Sequence, residues 1–157
     1  MFPTSANDTP PPRLQRHWTA GTPMSNRGLT VASLLLVAIP ALFGLAASLT
    51  PNPAGFGTHQ QLGLPPCSFL TLTGRVCPQC GLTTSFALLL KGRFSDALSA
   101  NPAGPVLAAI LALAWPWLLL STSRKHWIAS TNPPHTLLKI TFAWLLLTLL
   151  QWLPKVL

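Results

Sequence analysis

Three long apolar runs constrain the fold of this chain more than any other feature of its sequence. They cover residues 29–49, 103–123 and 136–153. A helix needs about 20 predominantly apolar residues to cross the hydrocarbon core of a bilayer. The first two runs carry no charged residue, and the third carries only Lys139, close enough to its start for the side chain to reach the headgroups. We therefore predict three transmembrane helices.

The amino-acid composition favours the same interpretation. Hydrophobic residues make up 49% of the chain, and its only acidic residues are Asp8 and Asp96. Soluble domains carry about 25% charged residues, whereas this chain carries 8%. The ten Lys and Arg residues stand singly or in pairs beside the apolar runs, which is typical of contacts with anionic lipid and not of a nucleic-acid interface. We predict an all-α, polytopic integral membrane protein embedded in a lipid bilayer, with no nucleic-acid partner.

The first 27 residues differ in character from the rest. Five prolines lie among polar residues there, and no apolar periodicity is present. This composition predicts a disordered tail over residues 1–27, followed by a membrane domain over residues 28–157. A cleaved signal peptide is the alternative interpretation of the first apolar run. The polar leader is far longer than a normal signal-peptide leader, which favours a retained membrane anchor.

Residues 50–101 connect the first two predicted spans. The first part of this connection, residues 50–75, is rich in Gly and Pro and holds His59 and Cys67, and the close pair Cys77 and Cys80 follows it. The apolar segment that follows, residues 82–90, has only about half the length that a spanning helix requires. It predicts a short helix that either lies in the membrane interface or enters the membrane and returns.

The middle third of the chain carries an ordered series of motifs. The series comprises residues 58–67, which end in Cys67, then Thr73-Gly74, then Cys77-Pro78-Gln79-Cys80-Gly81-Leu82-Thr83-Thr84, and finally residues 92–102. It resembles a bacterial membrane-protein family known as domain-of-unknown-function family 2752. Many members of that family have Thr-Arg after Cys-Pro-x-Cys-Gly, whereas Thr84 stands here in place of the arginine. The resemblance implies a small multi-pass protein of the bacterial inner membrane, and it brings no established reaction.

The close pair Cys77 and Cys80 supports a first hypothesis, a structural disulfide. Two cysteines separated by two residues at the start of a predicted helix can approach each other, and the helix dipole there would lower a thiol pKa. The bond would join Cys77 to Cys80, or one of them to Cys67. Because the number of cysteines is odd, at least one thiol stays free or pairs outside the monomer.

A metal site is the second hypothesis. His59, Cys67, Cys77 and Cys80 supply one imidazole and three sulfurs, which satisfies the four-coordinate shell of structural zinc. An iron–sulfur cluster fits the ligand count about as well. Only the Cys77/Cys80 spacing is diagnostic of such a site.

Thiol–disulfide exchange at the membrane is the third hypothesis. Exchange requires an accessible cysteine of low pKa beside a resolving partner, and the pair Cys77 and Cys80, with Cys67 as a shuttle thiol, meets that requirement. The sequence contains no Ser/His/Asp constellation and no glycine-rich phosphate cradle, so we predict no catalytic residue.

The function predicted from the sequence is that of a structural or interaction module. In this interpretation the cysteine motif rigidifies a loop against the bilayer and presents it to a membrane-protein partner or to a second copy of the chain. Metal binding and thiol–disulfide oxidoreduction remain the alternative functions.

The positions of the basic residues predict an orientation. With three spans, one side of the membrane receives Arg13, Arg16, Arg27, Arg124 and Lys125, and the other receives Arg75, Lys91, Arg93 and Lys155. Basic residues in short flanking segments are enriched on the cytoplasmic side. We therefore predict a cytoplasmic N-terminus and a cysteine loop that faces the periplasm or the cell exterior, where thiols tend to be oxidised.

Overall fold

The computed structural model describes residues 22–128 and 133–156. Within these ranges the regular structure is helical, apart from one isolated bridge between Pro23 and His126. The helices are α1 (Asn26–Ser48), α2 (Ser68–Thr73), α3 (Leu82–Leu90), α4 (Phe94–Ala100), α5 (Ala103–Arg124) and α6 (Pro133–Val156), with a short 3-10 helix at Thr58–Leu62. The all-α prediction is confirmed.

The three predicted spans are confirmed as helices of membrane-spanning length. Asn26–Ser48, Ala103–Arg124 and His135–Pro154 contain 23, 22 and 20 residues, and each is apolar enough to cross a bilayer. At about 1.5 Å per residue they extend for about 30–35 Å, the thickness of a hydrocarbon core. Large apolar side chains point outward along them, including Val37, which is 71% exposed, and Phe142, which is 67% exposed. An apolar surface of this extent is stable in contact with lipid and unfavourable in water, so the fold is that of a membrane protein.

The first span begins earlier than predicted, because tertiary contacts order the residues that precede it. Ser25 caps α1 through its side chain, and the Met24 backbone N–H donates to the Lys125 carbonyl at the end of α5 over 2.9 Å. Met24 itself is buried. Residues 22–24, assigned to the tail from their composition, therefore contact the segment at the end of α5. The remainder of the predicted tail, residues 1–21, lies outside the described residues.

Helices α1 and α5 run antiparallel, and α3 packs between them. The start of α1 meets the end of α5 at the Met24–Lys125 hydrogen bond. Farther along, Phe43 of α1 contacts Phe86 of α3 with ring centroids 5.9 Å apart, and Ala108 of α5 completes the same apolar cluster. Helix α3 is consequently the most enclosed element, with every residue from 84 to 88 buried.

Helices α3 and α4 form a hairpin in which the end of α4 lies beside the start of α3. A short turn around Gly92, whose φ is +74°, reverses the chain between them. The Ser85 hydroxyl near the start of α3 lies 2.8 Å from the Ala97 carbonyl and 3.0 Å from the Asn101 carbonyl at the end of α4. Helix α3 is thus buried among the long helices, and its placement relative to the membrane stays a prediction.

The third span is attached to the bundle mainly near its C-terminal end. The indole N–H of Trp144 donates to the Ala103 carbonyl over 3.1 Å, and that of Trp152 donates to the Val76 carbonyl over 2.6 Å. Most of the remaining surface of α6 faces outward, since apolar side chains such as Leu138 and Phe142 are exposed. We call the end of the bundle that holds these contacts, together with residues 49–81, the cysteine end.

Candidate metal centre

All three cysteines of the chain meet at the cysteine end. The Sγ atoms of Cys67, Cys77 and Cys80 lie within 4.8 Å of one another. The Sγ atoms of Cys77 and Cys80 are 3.1 Å apart. Each of the three residues is partly buried. Two chain segments separated by the whole of α2 therefore contribute to one cluster of sulfur ligands.

A tight turn positions Cys77 and Cys80. The Cys80 backbone N–H donates to the Cys77 carbonyl over 3.0 Å, and the Cys77 backbone N–H donates to the Cys80 Sγ over 3.2 Å. Gly81 follows in the left-handed region, with φ at +86°, and α3 begins only at Leu82. The helix thus covers the residues 82–90 predicted for it, and the cysteine pair lies immediately before its first turn. The pair precedes the helix because Gly81 reverses the backbone between them.

Cys67 is placed by α2, a short helix in a segment that the sequence analysis treated as a loop. It occupies the position immediately before Ser68–Thr73, where the first backbone N–H groups of the helix are free to donate. The Leu70 N–H is the main cause that lowers the pKa of Cys67, with smaller contributions from Phe69 and from the thiols of Cys77 and Cys80, while burial opposes the shift.

Cys80 lies in the opposite electrostatic environment. Burial raises its pKa to about 12, and hydrogen bonding to the Cys77 thiol adds to the increase. In the metal-free protein at neutral pH, Cys67 is therefore the favoured thiolate, whereas Cys80 stays protonated. The two residues differ in chemical reactivity although their sulfurs lie close together.

This difference predicts an order of alkylation. In metal-free protein held with a chelator at pH 8, we expect iodoacetamide to modify Cys67 at least about ten-fold faster than Cys80, because the thiolate is the reactive form. A pKa of about 12 leaves Cys80 with about one thiolate in ten thousand at that pH. Peptide mass spectrometry over a time course measures both rates. The difference should disappear in denatured protein, and equal rates in the folded protein would contradict the assignment.

His59 lies beside the cluster but not within it. Its Nε2 is 3.2 Å from the Pro65 carbonyl oxygen. A cavity of about 260 Å³ is lined by His59 and by all three cysteines. The ring nitrogens of His59 nevertheless fall outside the group of ligand atoms that lie within 4.8 Å of one another. The structure thus brings together three of the four predicted ligands and leaves the imidazole hydrogen-bonded to its own loop.

Asn101 holds the cysteine turn in place, a role that the sequence analysis missed. Its Nδ2 donates to the Cys80 carbonyl over 3.0 Å, and its Oδ1 accepts from the Ala103 N–H and the Gln151 Nε2 over 3.0 and 2.8 Å. The side chain is only 2% exposed. In the sequence, Asn101 stands at the end of the connection over residues 50–101, and no local pattern indicates that it joins the turn to α5 and α6.

Two buried threonines anchor the loop that precedes the cysteines. The hydroxyls of Thr58 and Thr84 lie 2.7 Å apart, and neither residue is exposed. The Asn52 backbone N–H also donates to the Thr58 hydroxyl over 3.0 Å. These bonds attach the 3-10 helix to the start of α3, beneath the cavity beside the sulfurs.

The fold and the cluster together define a small helical membrane protein whose cysteines gather at one end of a three-span bundle. Residues 67–115 match the model of a family described as "Protein of unknown function (DUF2752)". The family resemblance is thereby confirmed over a segment that contains the three cysteines, the α3–α4 hairpin and the first half of α5. No curated protein and no solved structure matches the chain.

Proposed function

We propose that this protein is a membrane-anchored metal-binding module that holds Zn²⁺ through Cys67, Cys77 and Cys80. The observation that carries the proposal is the approach of the three sulfurs to within 4.8 Å of one another. With Zn–S bonds of about 2.3 Å in a tetrahedral shell, sulfurs on one ion lie about 4 Å apart. Only small side-chain adjustments separate this cluster from a coordinating geometry.

Zinc suits the donor set better than the alternatives do. Thiolates select soft or borderline ions such as Zn²⁺ and Cu⁺, and they also hold iron–sulfur clusters. Those clusters are normally held by four cysteines, whereas the chain contains three. A disulfide between two of the three cysteines would leave the third thiol without a role, whereas a metal ion would be bound by all three sulfurs.

The metal would rigidify the loop on which the third span docks. Residues 67–80 carry the three ligands, and α6 contacts the same segment through Trp152, whose ring lies 6.0 Å from that of Phe69 in an edge-on arrangement. The Trp152 indole also donates to the Val76 carbonyl, one residue before Cys77. A cross-link at the sulfurs would therefore stabilise the attachment of α6. This role extends the predicted structural module, which presents a rigid loop to a membrane partner or a second copy of the chain.

Metal analysis of the purified protein tests the proposal. We expect about one zinc ion per chain in detergent under reducing conditions. In Cys67→Ser and in Cys80→Ser, the affinity for zinc should fall more than about 100-fold, because the loss of a ligand exceeds the effect of losing an outer-shell partner. Ser68→Ala is the matched control, since it changes an exposed neighbour of Cys67 and leaves every sulfur in place. Wild-type protein that binds no zinc in an equilibrium titration would refute the proposal.

Thiol–disulfide exchange is a second candidate function, favoured by the lowered pKa of Cys67 beside a close cysteine pair. The Cys67 thiolate would attack a disulfide of a partner protein, form a mixed disulfide and release one partner thiol. Cys77 or Cys80 would then attack Cys67 Sγ and release the second partner thiol. The protein's own cysteines would supply the two electrons and end as a disulfide. Metal-free protein that forms mixed disulfides in membranes would favour this function over zinc binding.

We infer that the cysteine end faces the outside of a bacterial inner membrane and that the N-terminus is cytoplasmic. The opposite end of the bundle collects Arg27, Arg124 and Lys125, and basic flanks favour the cytoplasm. A membrane-impermeant maleimide should label Cys67 in intact spheroplasts after metal removal. Labelling that requires lysis of the spheroplasts would indicate the reverse orientation.

A further inference from the structure

We infer that the metal ion has a fourth coordination position that is open to exchange, occupied by a water molecule that donates a hydrogen bond to Gln79. This inference rests on the proposed zinc site and concerns what kind of site it is. Structural zinc sites are closed by four protein ligands, whereas catalytic sites keep one position for water or substrate. The surroundings of the three sulfurs correspond to the second kind.

The described residues supply three ligands and no fourth. Across residues 22–128 and 133–156, neither a histidine nor a carboxylate joins Cys67, Cys77 and Cys80 within 4.8 Å. His59 is held by its hydrogen bond to the Pro65 carbonyl. Because Zn²⁺ in proteins is almost always at least four-coordinate, these three ligands of the described residues leave a fourth position for another ligand.

A cavity beside the sulfurs has room for that ligand. It measures about 260 Å³ and is lined by the three cysteines, His59 and Gln79, among others. A water molecule occupies about 30 Å³ in the liquid, so the cavity accommodates a metal-bound water together with several further waters or a small molecule. The position next to the metal is therefore accessible to ligands from solution.

Gln79 provides the observation that identifies the ligand class. Its Oε1 is buried and has no hydrogen-bond partner among the described residues. Buried polar atoms are normally paired, and a carbonyl oxygen can only accept. Gln79 lies between the two cysteines of the turn and lines the same cavity. A ligand whose coordinating atom also donates a hydrogen bond, such as water, satisfies both the metal and this oxygen.

Cobalt substitution tests the inference in the full-length protein in detergent micelles. Co²⁺ reports its ligands through d–d absorption bands and its thiolates through charge-transfer bands. We expect Co²⁺-loaded wild-type protein to show a tetrahedral spectrum that shifts on addition of azide, an anion that replaces the water. His59→Ala should give the same spectrum and the same azide response, because His59 is not a ligand.

Gln79→Leu gives the test of the hydrogen bond. Azide carries no proton to donate, so it gains nothing from Gln79. In the wild-type protein, azide must displace a water that Gln79 stabilises, whereas in Gln79→Leu the water lacks this hydrogen bond. We expect the apparent Kd for azide to fall about three- to ten-fold in Gln79→Leu, which corresponds to the loss of one neutral hydrogen bond. Gln60→Leu, at an exposed glutamine on the same cavity, is the matched control and should leave the Kd unchanged.

The outcomes separate this inference from the zinc site itself. A cobalt spectrum that changes in His59→Ala and ignores azide would establish a closed Cys₃His site and overturn the open position, while metal binding would stand. An unchanged azide Kd in Gln79→Leu would overturn the role of Gln79. Failure of the wild-type protein to bind Co²⁺ or Zn²⁺ at all would refute the proposed function, and the open position with it.

Discussion

Replacing Gly81 with alanine is expected to destabilise the protein by about 2–5 kcal/mol and to abolish metal binding. The left-handed φ of +86° is unfavourable for any residue with a Cβ. A Cβ at this position would also lie 2.7 Å from the backbone oxygens of both Ala100 and Gly55, which cannot move independently. Relief of these contacts would displace the turn that carries Cys77 and Cys80.

The matched control for this variant is Gly63→Ala. Gly63 has a similar φ of +76°, but a Cβ there meets no atom within 4 Å. Its cost should be limited to the conformational penalty of about 1–2 kcal/mol. Thermal unfolding by circular dichroism in detergent, together with zinc content, measures both variants. Equal losses in the two variants would show that the close approach of Ala100 and Gly55 does not matter.

Substitution of Asn101 by alanine is expected to lower the free energy of unfolding by about 2–4 kcal/mol, because several polar groups lose a hydrogen bond at once. The Cys80 carbonyl, the Ala103 N–H and the Gln151 amide all bond to this side chain. We also expect the zinc affinity to fall, since the cysteine turn would lose its attachment to the long helices.

Two measurements distinguish this role from a general loss of stability. Asn26→Ala, at the exposed start of α1, should leave both unfolding and zinc binding unchanged. The indole N–H resonance of Trp152 should shift in Asn101→Ala, whereas that of Trp115, which bonds to the Leu36 carbonyl between α1 and α5, should remain in place. Shifts of equal size in both indoles would mean that Asn101 has no specific role at the cysteine end.

The attachment of α6 gives these predictions a common physical origin. Trp144, Gln151 and Trp152 of this helix make polar contacts with residues at the cysteine end of the bundle. Apolar packing in lipid supplies little hydrophobic driving force, so close contacts and interhelical hydrogen bonds carry much of the association. Substitutions at the cysteine turn should therefore weaken the attachment of α6 to the bundle.

The spans and the all-α class were predictable from local sequence properties. A long uncharged apolar run, such as residues 103–123, must satisfy its backbone hydrogen bonds within the segment when lipid surrounds it, so it forms a helix. The length of each run decides whether it can cross the bilayer, and the number of such runs sets the number of crossings. The enclosed hairpin of α3 and α4 was predictable only in outline, because its burial depends on contacts such as Phe43 with Phe86.

The sequence indicated the chemistry of the site and named its three cysteines, but it also included His59, which lies outside the sulfur cluster. The residue types and the Cys77/Cys80 spacing indicated a thiol or metal centre, whereas the approach of Cys67 depends on α2 and on the turn around Gly81. The exclusion of His59 depends on its hydrogen bond to Pro65. No spacing rule in the sequence encodes these arrangements.

The sequence by itself determined that this protein is embedded in a lipid bilayer, because hydropathy and length are properties of each segment alone. Only the tertiary structure decided that the three cysteines meet without His59 and which polar groups support them. The physical reason is that loop residues are positioned by long-range contacts, such as those of Asn101 with the turn and with α6, and by the close approach of backbone atoms to Gly81.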